Sequence, residues 1–353
     1  MEILHHNKFV GGRIIKTGIA VLLTSMLCYL LKWPEMFAVI TAIVTIEPTS
    51  LDSIKKAFIR FPASAIGAAY SVLFTFFFGD RPFTYTLVAL GTIFTCHKLR
   101  LHAGILVATL TGVAMISTVH HQFIESFFIR LGTTSIGLMV SSLVNLLVFR
   151  PDYSENIMNK TKQLFLEAGL YIEKRGLEIV YGHPLHKETK MKFQSFVKKL
   201  EAVDTLCENQ KKECKIHHFS REEIRVFHYA HKKINLLHQM IHHLGNLNSL
   251  PPLKSHLDDD KKEMMISAFQ LVKRILQGDH ICRSNSNHRL IDALDRHLRH
   301  SQSEVSGEQN PQFPHFVSHE TFIIFEILSI MDILEELKQL QKLELKHIRL
   351  GGQ

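Results

Sequence analysis

The sequence predicts an all-α membrane protein: six transmembrane helices in a 3+3 inverted repeat, followed by a cytoplasmic helical bundle. Three observations carry that prediction. The first is a split in composition. Residues 1–150 hold twelve Lys and Arg against six Asp and Glu, whereas residues 151–353 hold 29 against 27. An apolar stretch of sparse charge therefore precedes a polar, charge-dense one, which sets a membrane domain at 1–150 and a soluble helical domain at 151–353. The second is a series of six apolar runs: Ile14 to Leu31, Met36 to Ile46, Phe61 to Phe78, Phe83 to Cys96, Ile105 to Val119, and Phe127 to Phe149. The third is a repeated phrase, Phe58-Ile-Arg60 with Gly67 and Phe128-Ile-Arg130 with Gly137.

A straight span needs about 20 apolar residues. The second and fourth runs fall short of that, so each continues into polar flanks or forms a broken or tilted helix. The basic, apolar N-terminal stretch has no small-residue cleavage site after it and reads as a retained first span. Lys8, Arg13, Lys16, Lys55, Lys56, Arg60, Lys98, Arg100 and Arg150 fall on one side. Lys32, Arg81 and Arg130 fall on the other. The positive-inside rule then places both termini in the cytoplasm of a multi-pass plasma-membrane protein. Tyr29 and Trp33 fall at the outer interface, where amphipathic rings are favoured, or else are ordinary helix-packing aromatics. The excess of base, net +8 overall, is a matter of membrane orientation and not of nucleic-acid binding. Five scattered cysteines form no disulfide framework.

Sliding the chain by 70 residues lays Phe58, Ile59, Arg60, Ile66, Gly67, Ser71 and Leu73 on Phe128, Ile129, Arg130, Ile136, Gly137, Ser141 and Leu143. The same shift lays Ala38, Thr41 and Ile46 on Ala108, Thr111 and Ile116. The first and fourth runs show no match at that shift. Three helices per unit invert the second unit relative to the first, an architecture that recurs among transporters.

Charge inside a bilayer is costly and marks function by default. Glu47 ends the second run, with Pro48 breaking the helix after it. Its carboxylate is a candidate proton carrier, or else a headgroup-level acid at a helix end. Arg60 and Arg130 each precede a residue expected to perturb the helix, Pro62 or Gly132. A guanidinium grips a carboxylate through two parallel bonds, so the two arginines are candidate anion gates at opposite mouths, or else interfacial anchors. Thr41, Thr111 and Asn145 are candidates to line a polar route between them, or to bond helices together.

The phrase Pro34, Ala38 to Pro48, Arg60 with Gly67, and the closing Gly137 to Asn145 with Phe149-Arg-Pro-Asp-Tyr153 resemble the fusaric-acid-resistance-like (FUSC) and aromatic acid exporter superfamily. The closest likeness is to its shorter bacterial members with a cytoplasmic C-terminal helical domain. The resemblance implies efflux of small aromatic or amphipathic carboxylic acids by a non-enzymatic secondary transporter. It also implies a homo-oligomer in a bacterial lipid bilayer.

After Pro151 the hydrophobic period becomes that of amphipathic helices. They are expected at Ser154 to Gly182, Glu188 to Lys212, Arg221 to Asn246, Asp258 to Gly278, Asn287 to His300, and Ser318 to Ile348, with a break at the polar stretch Ser301 to Pro314. The stripe Ile327, Ile330, Leu334, Leu337 and Leu340 reads as bundle core, a coiled-coil dimer seam being the alternative. Seventeen of the 23 histidines lie in this half. His238 and His242, one turn apart, are the weak metal candidates, and Cys207, Cys214, His217 and His218 have nonstandard spacing for zinc. No phosphate-binding loop, dinucleotide fingerprint or nucleophile elbow is present, so no cofactor and no enzymatic step are expected. The alternative function is a non-transporting membrane scaffold or sensor acting through the histidine-rich helices.

Overall fold

A computed structural model describes residues 8–118, 123–148, 150–251, 258–278, 285–307 and 318–351. The chain divides into two units: Met1–Asp152 together with Asn209–His218, and Tyr153–Glu208 together with Phe219–Gln353. Every regular element among the described residues is helical. The first unit contains α1 (Lys8–Leu31), α2 (Glu35–Thr45), α3 (Ser50–Phe78), α4 (Pro82–Lys98), α5 (Ile105–Met115, entered through a 3-10 turn at His102–Gly104) and α6 (Phe123–Leu147). Three of these are long and apolar enough to cross a bilayer: α1 from Gly12, α3 and α6. Large apolar side chains are exposed along them, including Leu22, Met26, Leu30, Phe76, Phe77 and Leu147. Such a belt suits a hydrocarbon solvent and not water.

The sequence marks the second and fourth runs as short, whereas the structure makes α2 and α5 the short pair, at 11 residues each. Each rises about 16 Å, half the thickness of the hydrocarbon core. The fifth run is shortened because 3-10 turns, His102–Gly104 and Ile116–Thr118, replace α-helix at both its ends. Its last residue, Val119, and the end of the sixth run, Phe149, lie outside the described residues.

Burial follows the 70-residue shift helix by helix. On α3 the buried positions include Arg60, Ala63, Ser64, Gly67, Ala68, Ser71 and Thr75. On α6 they include Arg130, Thr133, Thr134, Gly137, Leu138, Ser141 and Asn145, which are the same seven places. The buried residues of α2 are Phe37, Ala38, Thr41, Ala42 and Thr45, and those of α5 are Val107, Ala108, Thr111, Gly112 and Met115. Small residues on these stripes let backbones approach without side chains between them. A Cβ on Gly67 would sit 2.2 Å from the Ala108 carbonyl oxygen, and one on Gly137 would sit 2.5 Å from that of Ala38. α3 thus packs on α5 as α6 packs on α2, and α3 and α6 pack on each other.

The outer helices obey a slightly different shift, 68 residues, which explains why the 70-residue slide misses them. Lys16, Ala20, Thr24 and Cys28 are buried on α1, and Thr84, Val88, Thr92 and Cys96 on α4. Each helix ends on a basic residue of positive φ, Lys32 (55°) and Arg100 (58°). In each, the next amide bonds five residues back, Trp33 to the Cys28 carbonyl and Leu101 to the Cys96 carbonyl. This is the Schellman closure of a helix C-terminus.

Two expected helix breaks are not breaks. α3 runs unbroken through Pro62, and α6 through Gly132. A proline inside a bundled helix removes one backbone bond, which neighbouring packing tolerates. Gly132 is small for another reason: a Cβ there would fall 2.3 Å from the Trp33 ring. Trp33 therefore packs against α6, as a helix-packing aromatic does. Only Pro48 coincides with a real interruption, between Thr45 and Ser50.

The second unit is a bundle of α7 (Ser154–Val180), α8 (Lys187–Glu213, whose last residues belong to the first unit), α9 (Arg221–Ser249), α10 (Asp259–Leu276), α11 (Asn285–Gly307) and α12 (His319–Gly351). Its core joins Leu164, Ile172, Leu200, Leu237, Phe269 and Ile327. The α12 stripe is buried there throughout, from Ile327 to Leu340. α11 continues across Ser301–Gly307, where the sequence suggests a break, and the rest of that polar stretch lies outside the described residues. Ile224, which is in phase with the apolar face of α9, is 48% exposed. Arg175, fully buried, donates to the carbonyls of Leu247 and Leu250 and so closes the C-terminal end of α9.

These contacts predict that Gly67→Ala and Gly137→Ala each destabilise the first unit by about 1–3 kcal/mol, the cost of overpacking a close helix crossing. Gly18→Ala, with no atom within 4 Å of the new methyl, leaves the melting temperature in detergent unchanged. Equal melting of all three variants would refute the crossing.

Candidate functional site

The interruption between α2 and α3 frees backbone carbonyls in a region of little water, and each unpaired one is expensive. The structure pairs them. The Thr45 carbonyl accepts from Ser53 Oγ at 3.1 Å, that of Ile46 from Arg13 at 3.1 Å, and that of Glu47 from Asn145 Nδ2 at 3.1 Å. Asn145 Nδ2 also reaches Thr49 O at 3.3 Å and Ser53 Oγ at 2.6 Å. On its acceptor side, Asn145 takes the buried ammonium of Lys16, at 2.9 Å on Oδ1 and 3.1 Å on its backbone oxygen. Asn145 is 1% exposed and holds α1, α6 and the α2–α3 junction together. It is a structural hub of the first unit.

Glu47 sits at the same junction. Lys56 Nζ lies 2.8 Å from one of its oxygens and Arg60 Nη2 lies 2.6 Å from the other. Two cations stabilise the ionised carboxylate and disfavour its protonation. Arg60 is 6% exposed, and its Nε donates to the Ala103 carbonyl at 3.2 Å. Thr41 donates to the Phe37 carbonyl one turn back on its own helix. Ser141 does the same toward Gly137. These hydroxyls satisfy carbonyls of their own helices.

Arg130 differs. It is 4% exposed. Its Nη2 donates to Thr111 Oγ1 at 2.6 Å, and its guanidinium carbon lies 3.8 Å from the centre of the Phe37 ring. Nε and Nη1 have no hydrogen-bond partner among the described residues. The contrast with Arg60 follows from the correspondence between the halves. At the place of Glu47 the second half has Ser117, and at the place of Val107 the first half has Phe37. One arginine is neutralised by a carboxylate, and the other is left with an aromatic face and a hydroxyl. The free N–H directions of a buried guanidinium match the geometry of a carboxylate. The 70-residue slide already pairs Glu47 with Ser117, and that mismatch is the signal that could have singled out Arg130 from sequence.

Comparison with known proteins agrees with the membrane architecture. The family model described as aromatic acid exporter family member 1 matches residues 8–148. A UPF0421 protein of Bacillus cereus is 42% identical over 298 residues, covering 84% of each chain. A UPF0421 protein of Oceanobacillus iheyensis is 41% identical over 273 residues, covering 77% of this chain and 79% of that one. One from Staphylococcus saprophyticus is 35% identical over 291 residues, covering 81% and 88%. The chain belongs to the aromatic acid exporter family. The matched segment contains all six helices of the first unit and both buried arginines. The hub residues Lys16, Glu47 and Asn145 fall inside it as well.

The metal candidates are not assembled. His238 Nε2 pairs with Asp204 at 2.9 Å, and no group of three metal-ligating side chains occurs among the described residues. Cys207 is packed in the second unit's core, and His217 contacts Glu213 and Ser50. Histidine and carboxylate recur as pairs in the second unit, as in His243–Glu326 and His297–Glu320.

The hub predicts an asymmetry between matched positions. Asn145→Ala removes one of the two acceptors of the Lys16 ammonium and leaves the Glu47 carbonyl without its donor, at a cost of about 1–3 kcal/mol for a buried group left unpaired. Thr75→Ala, at the corresponding place on α3 where Oγ1 has no partner among the described residues, costs far less. Thermal melts of the two variants compare them directly, and equal losses would exclude the hub.

Proposed function

We propose that this protein is a secondary exporter of small aromatic carboxylic acids, with Arg130 as the group that holds the carboxylate. The observation that carries the proposal is the buried guanidinium with two unpartnered N–H groups beside Thr111 and the Phe37 ring. A carboxylate would take both free donors, and an aromatic body would meet an aromatic, water-poor wall. Family membership supports a transporter.

In this reading the six helices of residues 1–150 form a 3+3 inverted repeat in a bacterial plasma membrane, with both termini in the cytoplasm. The matched burial of α2 with α5 and of α3 with α6 supports the repeat, and so does the pair of short helices in corresponding places. Such paired short helices mark the binding region of inverted-repeat transporters. Ser64 Oγ and Thr134 Oγ1, 70 residues apart, lie 3.2 Å from each other. Arg60 and Arg130 each precede that contact by four residues, so each lies about 6 Å from it along its helix. Antiparallel α3 and α6 carry them to opposite sides, with Arg60 and its partner Glu47 closing the inner side and Arg130 receiving the acid. Residues 151–208 and 219–353 are the cytoplasmic bundle, and the working form is a homo-oligomer. Export is coupled to the proton gradient. The runner-up, a sensor acting through the second unit, is favoured by its recurrent histidine–carboxylate pairs.

Two measurements test the proposal. Efflux of radiolabelled 4-hydroxybenzoate from loaded vesicles is expected to fall by about 100-fold in Arg130→Ala, the scale of a lost buried charge-assisted bond. It recovers only partly in Arg130→Lys, which keeps the charge and loses the fork. Phe37→Leu lowers aromatic efflux more than aliphatic efflux. A wild-type protein inert toward a broad panel of aryl acids, with and without a proton gradient, favours the sensor. Separately, cysteines placed at the exposed Lys55 and Glu125 react with membrane-impermeant reagents from opposite faces, and labelling from one face sinks the inverted repeat.

A further inference from the structure

One feature of the first unit plays no part in holding the acid: the segment Asn209–His218, which follows α7 and most of α8 in the chain yet belongs with α1–α6. Its contacts converge on the first turn of α3. Glu213, fully buried, accepts from the Ser50 amide through Oε1 at 2.6 Å. That amide is among the donors a helix N-terminus leaves unpaired. His217 Nε2 lies 3.3 Å from Ser50 Oγ and 3.2 Å from Glu213. Ser50 Oγ also donates to the Asn145 carbonyl at 3.1 Å, so the same hydroxyl meets both the segment and the hub. Lys212 Nζ pairs with Asp52 at 2.8 Å, and Arg150 donates to the His218 carbonyl at 2.9 Å.

The contacts differ in weight. Lys212 and Asp52 are partly exposed, so their pair contributes little alone and chiefly sets register. Glu213 is the anchor, because a buried carboxylate separated from its N–H partner cannot fall back on water. The neighbouring charges, Lys16, Glu47, Lys56 and Arg60, are all fastened within the first unit. Ser50 is also the residue at which α3 resumes after the interruption. Any motion that opens the α2–α3 junction must therefore pull Ser50 away from Glu213 or carry the segment with it.

We infer that Asn209–His218 is an intramolecular brake, a clamp on the first turn of α3 that keeps the inner end of the transporter closed until the segment lifts. The clamping itself stands on the contacts alone, and its effect on flux rests on the export reading.

The test uses the full-length chain in lipid nanodiscs and in vesicles. Hydrogen exchange is followed in peptides covering Ser50–Ala57 for Glu213→Gln, Lys212→Asp, Asp52→Lys and the swapped pair Lys212→Asp/Asp52→Lys. The three single variants are expected to exchange faster there, by about tenfold for Glu213→Gln and less for the others. The swapped pair returns to the wild-type rate, which separates a clamp from general misfolding. Efflux of 4-hydroxybenzoate rises in the single variants and falls back in the swap. Single variants that exchange like wild type overturn the clamp, as does a swap that fails to restore protection. Faster exchange with slower efflux makes the segment a support instead of a brake and overturns the inference. A wild type that moves no 4-hydroxybenzoate sinks the export reading alone, and the exchange arm then still decides the clamp.

Discussion

The carboxamide of Asn145 meets a demand that the rest of the first unit creates. Pro48 interrupts the chain between two apolar helices, and the freed carbonyls cannot be left to hydrocarbon. One side chain on α6 answers two of them and holds the Ser53 hydroxyl that answers a third. Because it also accepts the Lys16 ammonium, α1 is tied to the same point. The interruption then supplies Ser50 and Glu47 with fixed positions. From these follow the ion pair with Arg60 and the grip of Glu213 on α3.

Against this background the correspondence between the halves matters most where it fails. Packing positions match closely, since glycine and alanine serve the same crossing twice. Several polar positions do not. Lys16 and Asn145 at one end stand where Thr84 and Thr75 stand at the other. Glu47 stands where Ser117 does, and Phe37 where Val107 does. One end is bolted by charge, while the other presents a lone guanidinium among hydroxyls and rings. The two ends are therefore held by different kinds of contact.

Much of the first unit was legible in the sequence. Gly67 and Gly137, Ala38 and Ala108, and Thr41 and Thr111 were picked out by a single shift, because close backbone crossings restrict residue size at fixed spacing. The α1–α4 relation was hidden by a shift of 68 in place of 70 and by a shared pattern with few identities: Lys16 opposite Thr84 and Ala20 opposite Val88 share burial, not chemistry. Pro62 and Gly132 misled because proline and glycine have more than one use, and only the position of the Trp33 ring tells which applies. The pairing of Glu47 with Arg60, 13 residues apart across an interruption, depends on how α3 leaves the turn. The contact of Glu213 with Ser50, 163 residues apart, has no local signature at all. In the second unit, amphipathic period located the helices well, but it could not say that Ile224 escapes the core or that α11 persists through a polar stretch.

The contact between Ser64 and Thr134 has one more implication. Equivalent positions that touch each other lie on or beside the axis relating the halves, and a group placed there faces its own kind. An amine or a carboxylate in that place would meet a like charge. A hydroxyl both gives and takes a hydrogen bond, so it is self-complementary. The chemistry at the centre of this bundle is therefore what two separate, identical three-helix chains would need in order to associate.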